Sequence, residues 1–479
     1  MSSVRRRGWL WLFSWLPLGL LAAAMPAAGS AADAKAIPDL ATRQGEDWGT
    51  FLGPSGNGRS SLQGMAVPWP AAGPRIVWHC EVGEGYCAPA VALGRLFVFD
   101  RIGRDNRLRC LHAETGAKLW EERYPSDYAD TFGYDGGPRS APVIAGDRVL
   151  TFGPEGRLEC RDLADGASLW RVDTARAYHV VQNFFGVGAA PLVVEVGDRR
   201  LVLVPVGGSP PGSTPPAPER LDLVKGLDSG LVAFDLASGR EVWRASAELA
   251  SYSTPLAARI EGRDLVLAWM RDHFIVVDPV AGAVLGRFRW RDDQVFSVVA
   301  ASPVVRGSEV LLSECYGPGS VVLDLVRSVA EGVPAVVRQD RPKARPDRAL
   351  KAHWATPVLH EAHVYGSSGR NSGDAGLVCV DWKTGEVAWS AAGFGRASVA
   401  LVGGHLVVLG EFGDLALVEA NPARYAEVSR TRLVDPAAGA GRSAELLAPP
   451  CWAAPVVARG LLYVRGRGHL VCVDLLDSP

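Results

Sequence analysis

The chain has none of the cysteine arrangements that announce redox or haem chemistry. Its eight cysteines, Cys80, Cys87, Cys110, Cys160, Cys315, Cys379, Cys451 and Cys472, include no adjacent pair and no Cys-x-x-Cys, which excludes covalent haem attachment. Charge is sparse as well, at 21% of residues with a net charge of −2. No basic field is available for nucleic acid. A Gly-x-Ser-x-Gly nucleophile elbow is missing, so that hydrolase class falls away. His360-Glu361-Ala362-His363 sets its histidines at i and i+3 in a strand-and-turn context, not at i and i+4 on a helix, and the zincin geometry is absent. Loop carboxylates Asp127, Asp130, Asp135, Asp292 and Asp293 follow no calcium-loop spacing and read as solvated. No metal site is expected.

Long apolar runs are scarce too, and the one that exists is short. Arg5-Arg6-Arg7 precedes an apolar stretch from Trp9 to Leu21 and small residues from Ala22 to Ala32. That is the layout of a secretory signal peptide, over 1–32, with a core too short to span a bilayer. No transmembrane anchor is expected after cleavage. The first cysteine is Cys80, so no lipid anchor is expected near the cleavage zone. The expected address is the periplasm, cell envelope or exterior.

What the sequence does have is repetition. An Ala/Ser/Thr-Pro opening, an apolar stretch, a Gly turn and a second apolar strand recur at Pro89, Pro142, Pro191, Pro255, Pro303, Pro357, Val399 (where the proline is lost) and Pro455. The copies lie roughly fifty residues apart, the period of stacked supersecondary units that cannot bury their apolar faces alone. A third strand, an Asp/Glu-x-x-x-Gly or Thr-Gly turn and a fourth strand ending on tryptophan follow in several copies, as in Leu108 to Trp120, Leu158 to Trp170, Leu231 to Trp243 and Leu377 to Trp389. Four short strands per unit predict an all-β, eight-bladed β-propeller of four-stranded antiparallel blades. The last copy has only three strands, while Arg75 to Cys80 stands alone before the first, with Trp78 where Trp120 and Trp170 stand in theirs. Pairing that strand with the last copy removes two exposed edges and closes the ring. The organisation is therefore a signal peptide (1–32), a Pro/Gly-rich arm (33–74) and one propeller (75–479).

The arm carries Trp48-Gly49-Thr50-Phe51-Leu52-Gly53-Pro54-Ser55-Gly56-Asn57-Gly58. No Lys-Ser/Thr and no helix follow, so a phosphate loop is excluded. Trp48 and Phe51 are expected to pack on the ring.

The arm, the eight copies, Gly137-Pro138-Arg139-Ser140-Ala141-Pro142 and the Asp-x-x-Thr-Gly-x-x-x-Trp turn of Asp381 to Trp389 together resemble the secreted propellers with pyrroloquinoline quinone-like repeats, of the type abundant in planctomycetes. Those are relatives in fold of BamB and of the quinoprotein alcohol dehydrogenases. The resemblance implies the fold over roughly Asp47 to Asp477. It does not by itself imply a chemistry, since such folds host unrelated functions. The dehydrogenases are known for two adjacent cysteines over the cofactor, a Glu/Asn/Asp calcium set and an aspartate base. The cysteine pair is missing and no calcium set can be placed. No cofactor is expected; pyrroloquinoline quinone with calcium belongs only to the alternative reading.

Cys110, Cys160, Cys379 and Cys472 share one position on the third strand, where a small apolar residue is required and free cysteine serves as one. Cys80 and Cys472 lie on neighbouring strands but diagonally, which leaves a disulfide between them open.

The residue three places before each repeat proline should recur around the entrance of the central channel. That position holds Tyr86, Arg139, Gly188, Tyr252, Ala300, Trp354, Arg396 and Trp452. Four aromatics and two arginines suit a planar or acidic ligand, through ring faces and guanidinium forks, or else a channel plugged by bulky side chains. The candidate binding residues are Tyr86, Arg139, Tyr252, Trp354, Arg396 and Trp452. Longer loops, including Tyr124 to Gly137 and Ser367 to Gly376, open on the same face, where a rigid scaffold usually carries its binding surface. Two functions are compatible with this pattern: a non-catalytic binding or scaffold module for an envelope protein, peptide or polymer, and a quinoprotein-type dehydrogenase.

Overall fold

The computed structural model describes residues 42–326, 331–340, 349–437 and 445–476. The expected signal peptide and residues 33–41 of the arm lie outside the described residues. Among those described, the strands assemble into eight antiparallel blades, seven of four strands and one that gains a fifth. Among the described residues there is also a single turn of α-helix, Thr174–Ala177, and a short 3-10 turn, Leu221–Leu223.

The first blade shows why the sequence folds this way. Ala90–Ala92, Arg95–Ile102, Asp105–His112 and Lys118–Pro125 pair in chain order. The middle strands are buried on both faces because each blade stacks between two others. The last strand is largely exposed, being the outer edge. The short first strands of neighbouring blades approach one another around the axis.

Closure is by the N-terminal strand. Ile76–Glu81 pairs antiparallel with His469–Asp474, with Trp78 opposite Cys472. The same tryptophan-cysteine opposition recurs as Trp120 with Cys110, Trp170 with Cys160 and Trp389 with Cys379. A small residue is required there because the indole fills the space above it. Each indole also reaches the next blade: Trp78 Nε1 donates to the Ala113 carbonyl at 3.0 Å and Trp120 Nε1 to that of Leu163 at 3.1 Å. The ring is thereby latched blade to blade, and the N-terminal strand carries the latch across the join. All eight cysteines are free thiols, and Cys80 faces Leu470 instead of Cys472.

The arm does more than pack on the ring. Trp48 and Val91 of the first blade exchange both backbone hydrogen bonds, at 2.7 and 2.9 Å, and Ile144 N–H of the second blade donates to the Gly49 carbonyl at 2.7 Å. Arg59–Ser60 then pairs in parallel with Leu401–Val402, adding a fifth, innermost strand to the seventh blade. A Cβ on Gly58 would lie 2.7 Å from a Val358 methyl of the sixth blade, and one on Gly56 2.6 Å from a Leu256 methyl of the fourth. Within thirteen residues the chain touches the first strands of five blades. It crosses the channel, and Gly56 and Gly58 stand where a side chain would strike the wall.

Candidate functional site

All eight positions three residues before the repeat openings line one cavity of about 290 Å³. The structure thus brings Tyr86, Arg139, Tyr252, Trp354, Arg396 and Trp452 together, with Gly188 and Ala300 at the two remaining places. Each stands where a blade's connection turns down into its innermost strand, so eightfold repetition aims eight side chains at one axis. The arm supplies the floor through Phe51 and Leu52. What would have been a through-channel is a blind cup.

Its wall is a chain of touching rings. Trp452 contacts Trp354 at 4.9 Å between centroids and Tyr86 at 4.7 Å, tilted by 55° and 49°. Trp354 continues to His353 at 4.6 Å, and His353 to Tyr316 at 5.4 Å. On the other side Tyr252 meets Phe185 at 5.7 Å, and its hydroxyl accepts from the Phe185 N–H at 3.0 Å. Tyr134, reaching over from the Tyr124 to Gly137 loop, touches both Phe185 and Trp452.

The two arginines of the repeat position are not free forks. Arg396 lies over Trp354 and Trp452, 4.7 and 5.0 Å from their centroids, and is clamped by Glu411. Glu411 also accepts from the Arg396 N–H at 3.0 Å and from Trp452 Nε1 at 3.0 Å. Arg139 lies 5.5 Å over Tyr86 and 5.4 Å over Phe185, with Asp130 at 2.5 Å. Asp130 is therefore no solvated loop carboxylate: its side chain is 2% exposed, against 88% for Asp127 and Asp293. A half-buried guanidinium left alone would be costly, and each mouth loop delivers one acid to neutralise it.

Arg370 differs. It also lines the cup, from the Ser367 to Gly376 loop, but it is exposed and lies 4.4 Å over the Tyr316 ring. No acid partner reaches its guanidinium among the described residues. Its anion-binding capacity is unspent.

The titratable groups are set by burial. Burial pushes the His353 imidazole down to about 3, aided by the positive charges of Arg396 and Arg370. It is neutral at physiological pH, with Nε2 3.1 Å from the Tyr316 hydroxyl. Burial works to raise the Glu411 carboxyl, but the hydrogen bonds from Arg396 and Trp452 outweigh it and hold the group below its usual range. Burial raises the Tyr86 and Tyr316 phenols. Among the described residues no three His, Cys, Asp or Glu side chains are grouped to hold a metal ion.

The sequence pattern does not single out Leu52, Tyr134, Phe185, Tyr316, His353 or Arg370 as lining residues, and Phe51, expected to pack on the ring, also reaches the cup. Tyr134 and Arg370 come from the two loops expected on this face, but irregular backbone gives no period from which to read a side chain's direction.

A sequence model of the family described as outer membrane protein assembly factor BamB matches residues 60–204 and 162–424. Among solved structures, BamB from Moraxella catarrhalis superposes with a TM-score of 0.54 at 16% identity, covering 85% of this chain and 98% of that one. Quinohemoprotein alcohol dehydrogenase from Comamonas testosteroni gives 0.50 at 13% identity, covering 90% of this chain and 81% of that one. At such identities the likeness to these structures concerns the fold. No curated protein matches.

Proposed function

The chain belongs to the outer membrane protein assembly factor BamB family, and from that premise we propose that it is an exported, non-catalytic binding module that engages an envelope protein or peptide at the mouth of its propeller. The observation that carries this reading is the blind aromatic cup, assembled from one position in every blade and floored by the arm. Such a pocket, mostly apolar with a few placed polar groups, is what a ligand-binding site requires. The chemistry around it is that of recognition. Arg139 and Arg396 are neutralised within the wall, and His353 is held far from the pKa a general acid or base needs near neutrality. No helix among the described residues is long and apolar enough to cross a membrane.

The dehydrogenase reading requires a seat for pyrroloquinoline quinone, a flat tricyclic tricarboxylate. The residues present fit it poorly. The rings that touch Trp452 are tilted from it by 49° to 66° and crowd its faces instead of leaving it open beside a parallel neighbour. One unpaired arginine meets three carboxylates, and no adjacent cysteine pair exists to lie over the ring system.

A photo-crosslinking residue at Phe132, on the exposed rim, tests the proposal against one at Val387, on an outer strand. In the native envelope, capture at the rim and not at the outer strand is expected. Equal capture at both, or dye-linked alcohol oxidation that depends on added pyrroloquinoline quinone and Ca²⁺, overturns it.

A further inference from the structure

We propose that the cup receives the carboxy-terminal residue of a polypeptide, its aromatic side chain among the wall rings and its carboxylate on Arg370. This rests on the reading of the mouth as a binding site and names what enters it. Three arginines line the cavity, and two have spent their charge on Asp130 and Glu411. Arg370 has not. Its guanidinium carbon sits 4.4 Å from the centre of the Tyr316 ring, at the edge of the ring chain that runs through His353 to Trp354. Contact with the ring restrains the planar fork, so less freedom is lost when it takes a carboxylate in two parallel hydrogen bonds.

The cup therefore offers one anion contact beside one apolar space. An engineered apolar cavity of about 150 Å³ accommodates benzene, so about 290 Å³ has room for a bicyclic ring such as indole, and not for several side chains. An internal segment of a chain would have to enter and leave through the same opening. A chain end needs only one passage, and it carries a side chain and a carboxylate on a single residue, the combination the cup presents. Capture of a terminal carboxylate is an established mode of peptide recognition. At the rim of the cup the preceding residues would cross Phe132, Tyr134 and Phe296, which are 48%, 52% and 45% exposed and form a continuous aromatic lip with Phe184 and Phe185. Aromatic surface of that exposure is uncommon unless something covers it.

The test uses the full mature chain and fluorescein-labelled octapeptides ending in phenylalanine or tryptophan, as free acids and as C-terminal amides, read by fluorescence polarisation. Free 2-naphthoate, read by calorimetry, is the small-molecule arm. The acid peptide is expected to bind at least roughly tenfold tighter than its amide, the scale of one charged hydrogen-bonded contact. Arg370→Gln, at an exposed position where substitution is expected to change melting little, is expected to bring the acid down to the amide's affinity. Equal binding of acid and amide overturns the proposal, as does an unaffected Arg370→Gln. Binding of naphthoate without either peptide overturns the chain-end assignment in favour of a free aromatic acid. If no probe binds, the ligand class is wrong, while capture at the rim still decides separately whether the mouth is a binding face.

Discussion

Trp170 of the second blade lies flat against Gly239 in a turn of the third, and its Nε1 donates a 2.8 Å hydrogen bond to the Leu236 carbonyl of the same turn. Gly239 has φ +69°, and a Cβ there would sit 2.6 Å from the indole. Gly262 has φ +76° with nothing within 4 Å of such an atom. Both Gly→Ala changes meet the left-handed backbone penalty of about 1 kcal/mol. Only Gly239→Ala adds an overpacking cost of about 1–3 kcal/mol. Urea midpoints should separate the two variants by that second amount; equal losses would mean that the indole yields freely and latches nothing.

The tryptophan and the turn glycine are legible in the repeats, but the contact of each indole with the turn of the next blade is not, because the period orders residues within a blade and does not say what the neighbouring blade presents. The closing strand is legible because Trp78 stands where Trp120 and Trp170 stand in their repeats, and the observed strand is offset by one residue from the expected one. The path of the arm is not. Arg59–Ser60 is a two-residue parallel pairing, too short for any periodicity, and the arm lies outside the repeat. The pairing of Arg139 with Asp130 and of Arg396 with Glu411 was equally hidden. Arginine positions follow the blade period, whereas their acids sit on irregular loops. Repetition encodes where the wall residues stand and says nothing of which charges are already satisfied.

Closure makes the second prediction. Removing the chain through Glu81 strips the pairing partner from His469–Asp474 and the indole from the Ala113 carbonyl. An unpaired edge on a propeller invites association with another chain. The truncated protein should melt earlier and elute as larger species with rising concentration. If it melts and elutes as the intact ring does, the N-terminal strand does not hold the join.

The third prediction follows from Arg396 and Glu411, whose side chains are 17% and 4% exposed. Arg396→Ala leaves a buried carboxylate without its counter-charge, which costs about 3–5 kcal/mol. Replacing the pair together, Arg396→Met with Glu411→Gln, removes the stranded charge and should recover much of that loss. Chemical denaturation of the three proteins measures this directly. A single variant as stable as the parent would show that Glu411 is solvated well enough to stand alone.

The last prediction concerns pH. The folded chain holds His353 at about 3, whereas an unfolded chain binds the same proton near pH 6.5. Between those values the unfolded state carries a proton that the folded state refuses, so stability falls as pH is lowered from about 6.5 toward 3, by at most about 1.4 kcal/mol per unit. Glu411 acts in the same direction but later. Its depressed carboxyl contributes stability in full above the ordinary glutamate range, near pH 4.3, and loses it as pH falls through the folded value. The groups facing His353 are Arg396, Arg370, Glu411 and the Tyr316 hydroxyl. The arginines remain charged throughout this range and reinforce the refusal. His353→Gln, which keeps a hydrogen-bonding group beside Tyr316 but cannot titrate, should flatten the stability profile between pH 6.5 and 4.5 while leaving the steeper fall below it. An unchanged slope over that interval would show that His353 takes up its proton in the folded cup.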